Sequence, residues 1–234
     1  MKIAILQPGY LPWLGFFEQM ALVDKFVYLD DVQYTKKDWR NRNRIKTANG
    51  ILFLTVPVFD VTRNTRINDA KIYYGNDWVK NHLKAIYFAY CKAAHFQPLF
   101  DELKEVLEKR PNRLIDLNVA LVDLLCRHLN INTPVFFSSD AKIKGIDKND
   151  RIIRLCKHYG STFLYDGKSA QSFIDIERFS SEGIKVVFQD YCHPVYKQLY
   201  GQFISHLAAI DLIFNHGPEA GKILISTNQE SICN

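Results

Sequence analysis

The sequence predicts an α/β fold, a parallel sheet with a mainly helical insertion or subdomain in the middle of the chain. Three observations lead there. Short apolar runs alternate with helical patterns at both ends of the chain. The first two runs are joined by a compact helix, the signature of a parallel β-α-β unit. Between residues 77 and 130 the period changes to that of helices alone.

Ile3–Gln7 reads as a buried strand closed by Pro8-Gly9, and Pro12–Val23 as the helix that follows, with Pro12 tolerated in its first turn. Phe26-Val27-Tyr28-Leu29 is the second strand and ends at Asp30-Asp31. Asn49-Gly50 is a turn signal before a strand over Ile51–Val58, and a further strand is expected over Ala70–Tyr74. Trp78, His82, Ile86 and Tyr90 share one helical face. Leu99, Leu103 and Leu107 mark a second helix, and Leu114–Leu129 a third. Alternation then resumes: strand Val135–Phe137, helix Asp147–His158, strand Thr162–Tyr165, strand Ile184–Phe188, a helix over Ser205–Phe214 and another after Pro218. With no repeat and no low-complexity linker, the whole chain, 1–234, is expected to form one unit, 77–130 being its helical part.

Composition narrows the function classes. The chain has 234 residues, 47% of them apolar and 24% charged, which is ordinary for a globular protein. No apolar run approaches the ~18–20 residues that span a bilayer, and the first strand turns before a signal-peptide core forms, so a soluble cytoplasmic protein without membrane insertion is expected. Cys91, Cys126, Cys156, Cys192 and Cys233 are odd in number and contain no C-x-x-C pair, which argues against a disulfide framework and a zinc knuckle. The formal charge of +5 is local: Lys36, Lys37, Arg40, Arg42, Arg44 and Lys46 face one acid, Asp38, and the rest of the chain is balanced. Such a segment can hold a phosphate, although charge runs are more often solvated loops. Nucleic-acid binding is the weakest use for it, because no extended basic stripe surrounds it.

Ligands of open parallel sheets bind outside the carboxyl ends of strands. The first such end carries Gln7-Pro8-Gly9-Tyr10-Leu11-Pro12-Trp13-Leu14-Gly15, where two glycines and two prolines fix the backbone before a helix N-terminus. Gln7, Tyr10 and Trp13 are polar-tipped groups with little packing reason to be there, whereas Phe16 and Phe17 suit the core. The second end supplies Asp30, Asp31, Gln33 and Tyr34, followed by Lys36, Trp39, Arg40, Asn41, Arg42 and Asn43. If that segment is extended, its arginines face one way and its asparagines the other. Acids and bases are expected to converge on one crevice. His193, in His193-Pro194-x-Tyr196, is a further acid or base candidate. Gly167-Lys168-Ser169 has the tail of a phosphate loop without its first glycine, so a Walker A site is not read from it. No hydrolase elbow and no zinc-protease or dinucleotide motif occurs.

The motifs Gln7-Pro8-x-Tyr10-x-Pro12-Trp13-x-Gly15-Phe16-Phe17, Asp30-x-Val32-Gln33-Tyr34-x-Lys36, Trp39-x-Asn41-Arg42-Asn43, His193-Pro194-x-Tyr196 and Asp211-Leu212-x-Phe214-Asn215 resemble those of the WbqC-like protein family over nearly the full chain. The resemblance implies a place in bacterial surface-polysaccharide (O-antigen) assembly. It also implies a transferase placing an acyl or aminoacyl group, glycyl among them, on an amino sugar. The first β-α-β unit is also similar to that of nucleotidyltransferases and pantothenate synthetases, which implies a Rossmann-like sheet. Trp13 and Phe16 stand where that group has phosphate-gripping histidines, and neither can hydrogen-bond a phosphate strongly. Together these resemblances give Asp30, Asp31 and His193 catalytic roles. They give Gln7, Gly9, Tyr10, Trp13, Gly15, Lys36, Arg40 and Arg42 to a nucleotide, with ATP as cofactor if the acyl group is activated as an adenylate. Gln33, Tyr34, Trp39, Asn41, Asn43 and Tyr196 fall to a nucleotide-linked amino sugar. A non-catalytic nucleotide-sugar or phosphate-binding subunit is the alternative.

Overall fold

In the computed structural model, which describes residues 1–226, five strands form one parallel sheet. They are β1 (Lys2–Leu6), β2 (Lys25–Tyr28), β7 (Val135–Phe137), β8 (Phe163–Asp166) and β9 (Lys185–Phe188). Their spatial order is β7-β2-β1-β8-β9, and every neighbouring pair is parallel. The sheet grows one way from β1 through β2 to β7 and the other way through β8 to β9. The direction reverses between β1 and β8. This is a Rossmann-like arrangement, and the reversal leaves a crevice above the ends of those two strands.

Strand alternation sends side chains to two cores. Ala4, Phe26 and Tyr28 join α1 (Leu14–Ala21) and the helices α2 (Trp78–Tyr90), α3 (Leu99–Glu108) and α4 (Leu114–His128) in the larger one. Ile3, Ile5 and Val27 point to the other face, against Ile152, Leu155 and Cys156 of α6 (Lys148–His158) and Phe179 of α7 (Ile176–Ser181). A sheet covered on both sides explains why its strands read as continuous apolar runs.

The excursion between β2 and β7 also contains two hairpins. Strand β3 (Arg42–Thr47) pairs antiparallel with β4 (Gly50–Thr55), and β5 (Val58–Phe59) with β6 (Lys71–Ile72). The basic segment is therefore itself a strand, and Gly50, at φ 103°, makes the turn that Asn49-Gly50 announced. Within β3 the faces divide as extended geometry requires: Asn43 and Ile45 are buried, Arg42 and Arg44 half-buried on the other side. Strand β4 ends before Pro57, and the strand expected over Ala70–Tyr74 is only two residues long.

Two helix boundaries shift for local reasons. α1 begins at Leu14 with Trp13 as its cap, because Leu11 sits at φ 44° and leaves Pro12 outside the helix. The helix expected from Ser205 begins only at Ile210 as α8 (Ile210–His216). His206, at φ 58°, breaks the segment before it, and Arg44 donates to the Ser205 and His206 carbonyls. The short helices α5 (Ser138–Ala141) and α7 were not expected from the sequence, and α9 (Ala220–Ile225) follows Pro218. Cys126 and Cys156 are buried free thiols, Cys91 and Cys192 are exposed, and Cys233 lies outside the described residues. Among the described residues, no helix is long and apolar enough to cross a membrane.

Candidate functional site

The crevice at the reversal point holds a cavity of about 710 Å³. The β1 end gives it Gln7, Gly9 and Trp13, the start of the basic segment Trp39 and Arg40, and β3 Arg44. The β8 end supplies Asp166, Gly167, Lys168 and Ser169. Gln189, Asp190 and Tyr191 follow β9, and His206 closes the far wall.

The loop after β1 is built to let backbones and rings approach closely. Tyr10 donates its backbone N–H to the Trp39 carbonyl at 3.1 Å, and a Cβ on Gly9 would stand 3.1 Å from that same oxygen. A Cβ on Gly15 would lie 2.3 Å from the Trp13 indole, so only glycine lets that ring lie across the helix start. Asn43 holds the left-handed turn at Leu11 by donating to the Leu11 carbonyl at 2.7 Å. Trp13 is then sandwiched: His206 stacks on it at 5.0 Å and Tyr191 meets it edge-on at 5.2 Å.

Three cations edge the cavity. Arg40 donates through Nε to Gln7 Oε1 at 2.5 Å and lies 3.5 Å from Asp38, while burial lowers its guanidinium below the ordinary value. Arg44 donates to the two carbonyls before α8, and Lys168 pairs with Asp190 at 3.1 Å on the open surface.

The carboxylate among them is Asp166. Its one hydrogen bond among the described residues comes from the Gly167 N–H, at 2.7 Å. Burial raises its carboxyl to about 6, against the smaller lowering effect of that N–H. A carboxylate poised near neutrality in a cleft is a group suited to take a proton. Glu18 of α1 is buried. Burial raises its carboxyl, while Gln189 and Tyr165 donate to it and oppose the rise.

The structure divides the residues singled out from sequence. Gln7, Gly9, Trp13, Gly15, Trp39, Arg40 and Asn43 line the cavity. Tyr10 does not: it is buried, and its hydroxyl lies 2.9 Å from His82 Nδ1. Arg42 stacks over Phe53 at 4.2 Å, and Lys36 is exposed away from the cavity lining. Asn41 donates to the Val56 carbonyl, the exposed Gln33 pairs through its backbone with Arg66 as an isolated antiparallel bridge, and Tyr34 is buried with its hydroxyl pushed up to about 12 by desolvation.

Asp30 and Asp31 share the sheet edge, yet neither lines the cavity, so the expected convergence of acids and bases is only partial. Ser138, at the end of β7, lies 3.0 Å from Asp30 Oδ1 and 2.5 Å from Asp31 Oδ1. Ser139 N–H and Asn68 also donate to Asp30, and Arg151 pairs with Asp31. His193 stands behind the cavity wall, 5.1 Å from the His206 ring and 6.2 Å from Tyr196. Its Nδ1 lies 3.0 Å from the Pro194 carbonyl, and burial lowers its imidazole. Tyr196 is buried and donates to Asp211.

Sequence reasoning missed Asp166, Gln189 and His206, and set Lys168 aside with the incomplete phosphate loop. The signal for Asp166 was present in Tyr165-Asp166-Gly167 at the end of the fourth sheet strand, but its position beside β1 follows from the strand order.

Comparison with known proteins agrees with the motifs at this site. No solved structure matches the chain. A Mycobacterium tuberculosis protein described as the uncharacterized protein Rv1507c is 41% identical over 222 residues, covering 94% of this chain and 95% of that one. The sequence profile of the WbqC-like protein family matches residues 7–223, from the glutamine that Arg40 grips to the last helix, and the chain belongs to that family.

Proposed function

We propose that the protein is a transferase of surface-polysaccharide assembly that places a small acyl or aminoacyl group on the amine of a nucleotide-linked amino sugar. The observation that carries this reading is the reversal-point cavity, where three cations edge a space that also holds an ionisable, nearly unpartnered Asp166. Arg40, Arg44 and Lys168 would meet the diphosphate, Arg40 with the forked geometry that suits phosphate oxygens. Trp39, half-exposed, offers an apolar face to a base or sugar ring.

The chemistry asked of these groups is modest. The amine nitrogen attacks the carbonyl carbon of an activated acyl donor, and a carbon–nitrogen bond forms. The bond from that carbon to the leaving group breaks, and its electron pair departs with the leaving group. The proton lost by the nitrogen goes to Asp166. A carboxyl raised to about 6 is ionised at neutral pH and still basic enough for that task.

A second reading, a nucleotide-sugar binder without catalysis, is favoured by Trp13 and Phe16. The first is clamped between His206 and Tyr191, the second is buried, and neither can grip a phosphate. Incubation with glycine, ATP and a nucleotide-linked amino sugar separates the two. A mass gain on the sugar that disappears in Asp166→Asn is the expected result. Binding without mass gain, across several acyl donors and amino sugars, favours the second reading.

A further inference from the structure

The floor of the cavity contains an amide whose orientation is fixed by its neighbours. Gln189 Nε2 lies 2.8 Å from the Gly15 carbonyl, which can only accept, so that atom is the nitrogen. It also donates to Glu18 Oε2 at 2.6 Å. Gln189 Oε1 therefore faces Gln19 and accepts from Gln19 Nε2 at 2.7 Å. Among the described residues, Gln19 Oε1 is left as an acceptor with no donor, in a residue only 2% exposed. A buried acceptor without a partner is a standing cost to the fold.

Gln19 stands at the same corner of the cavity as Asp166. Both residues line the cavity, and a Cβ on Gly167 would stand 3.4 Å from Gln19 Nε2, while the Gly167 N–H is given to Asp166 Oδ1. The corner thus presents two acceptors, an amide oxygen and a carboxylate. A ligand hydroxyl brings one hydrogen and leaves one of them unserved. An amino group brings at least two.

We propose that Gln19 Oε1 and the Asp166 carboxylate together read an amine by accepting two of its hydrogens at once, and that Gln19 is the residue that selects an amine over a hydroxyl. The inference rests on the nucleotide-linked amine reading above. Glu18 and Gln189 are positioning residues in it: they hold the Gln19 amide the right way round. Sites with a committed buried polar group reject analogues that leave it unpaired.

The test is calorimetry on the intact protein with UDP, dTDP, and matched sugars on each: an amino sugar, its hydroxy congener and its N,N-dimethylamino congener. The amine is expected to bind at least tenfold tighter than the hydroxyl, and the dimethylamine to fall to the hydroxyl's level. Gln19→Met, which keeps length without the acceptor, is expected to bring the amine-to-hydroxyl ratio close to one. That ratio is taken within a single variant, so a general loss of affinity cancels. Failure of both UDP and dTDP to bind would overturn the nucleotide reading and the inference with it. Nucleotide binding with no preference for the amine would overturn the inference alone. So would a dimethylamine that binds like the amine, an outcome read on the wild type whatever the fold of the variant, or a preference that survives in Gln19→Met.

Discussion

At the end of β2, Asp30 accepts from the Ser139 N–H and from Asn68, Asp31 accepts from Arg151, and the single Ser138 hydroxyl lies within hydrogen-bond distance of both carboxylates. At the end of β8, Asp166 accepts one backbone N–H. All three are aspartates at carboxyl ends of parallel strands in one sheet, and sequence position does not distinguish them. Their partners do. Burial would raise the Asp31 carboxyl, but hydrogen bonds from Ser138 and Arg151 and the Arg151 charge outweigh it and hold it below its ordinary value. Asp166 is desolvated without that compensation, and its carboxyl rises. Carboxylates whose oxygens are saturated tie segments of the fold together. One left short of donors has capacity for a ligand or a proton.

The largest effect that tests this contrast is on folding. Asp30→Ala strands two donors in a buried site, the Ser139 N–H and the Asn68 amide, and is expected to cost about 3–5 kcal/mol, roughly 10 °C in melting temperature. A loss below about 1 kcal/mol in chemical denaturation would mean that the β2 end is not the structural one.

The second test goes the other way. A carboxyl raised from 3.8 to about 6 destabilises the folded state when ionised, by about 3 kcal/mol at most. Because the folded state holds the proton more tightly than the unfolded chain, this penalty is full above pH ~6 and fades as the pH falls toward 4. Asp166→Asn is therefore expected to melt higher than wild type at pH 8, with the gap about halved at pH 5 and closing toward pH 4, while acyl transfer is lost. Asp31 has the opposite sign: its contribution is present above the ordinary carboxyl value and lost as pH falls through its lower folded value. Melting curves of Asp31→Asn, in which the deficit relative to wild type shrinks in acid, check it.

The cations divide in the same manner, with smaller effects. Arg40 faces the cavity, so Arg40→Ala is expected to weaken nucleoside diphosphate binding by about 1.5–3 kcal/mol, ten- to a hundred-fold, with only partial recovery in Arg40→Lys. Equal affinity in wild type and Arg40→Ala would remove this residue from the phosphate site. Arg42, only two residues on, stacks on Phe53 instead. Arg42→Ala is expected to cost about 0.5–1 kcal/mol of stability and to leave nucleotide affinity within twofold. Titration of both variants against UDP reads the difference directly.

The α/β class, the parallel β1-α1-β2 unit, the later helical stretch and the special loop from Gln7 to Gly15 are legible in the order of residues alone. Each of these is encoded locally, by periodicity, by Pro and Gly, or by alternation along one strand. The division of Asn43 from Arg42 and Arg44 follows from the same alternation. Tertiary structure alone decided which strand ends share a crevice, because the order β7-β2-β1-β8-β9 sets β8 beside β1 across more than a hundred residues of chain. It also decided which charged groups were already spent. Asp30 is held by the Ser139 N–H and Asn68, Asp31 by Arg151, with the Ser138 hydroxyl between them, and Lys46, in the middle of a basic run, is buried against Gln198 and the Gln202 carbonyl. A residue's type states what it can bond. Whether that capacity is still free depends on partners distant in sequence, and for Asp166 and Gln19 the folded chain leaves it free.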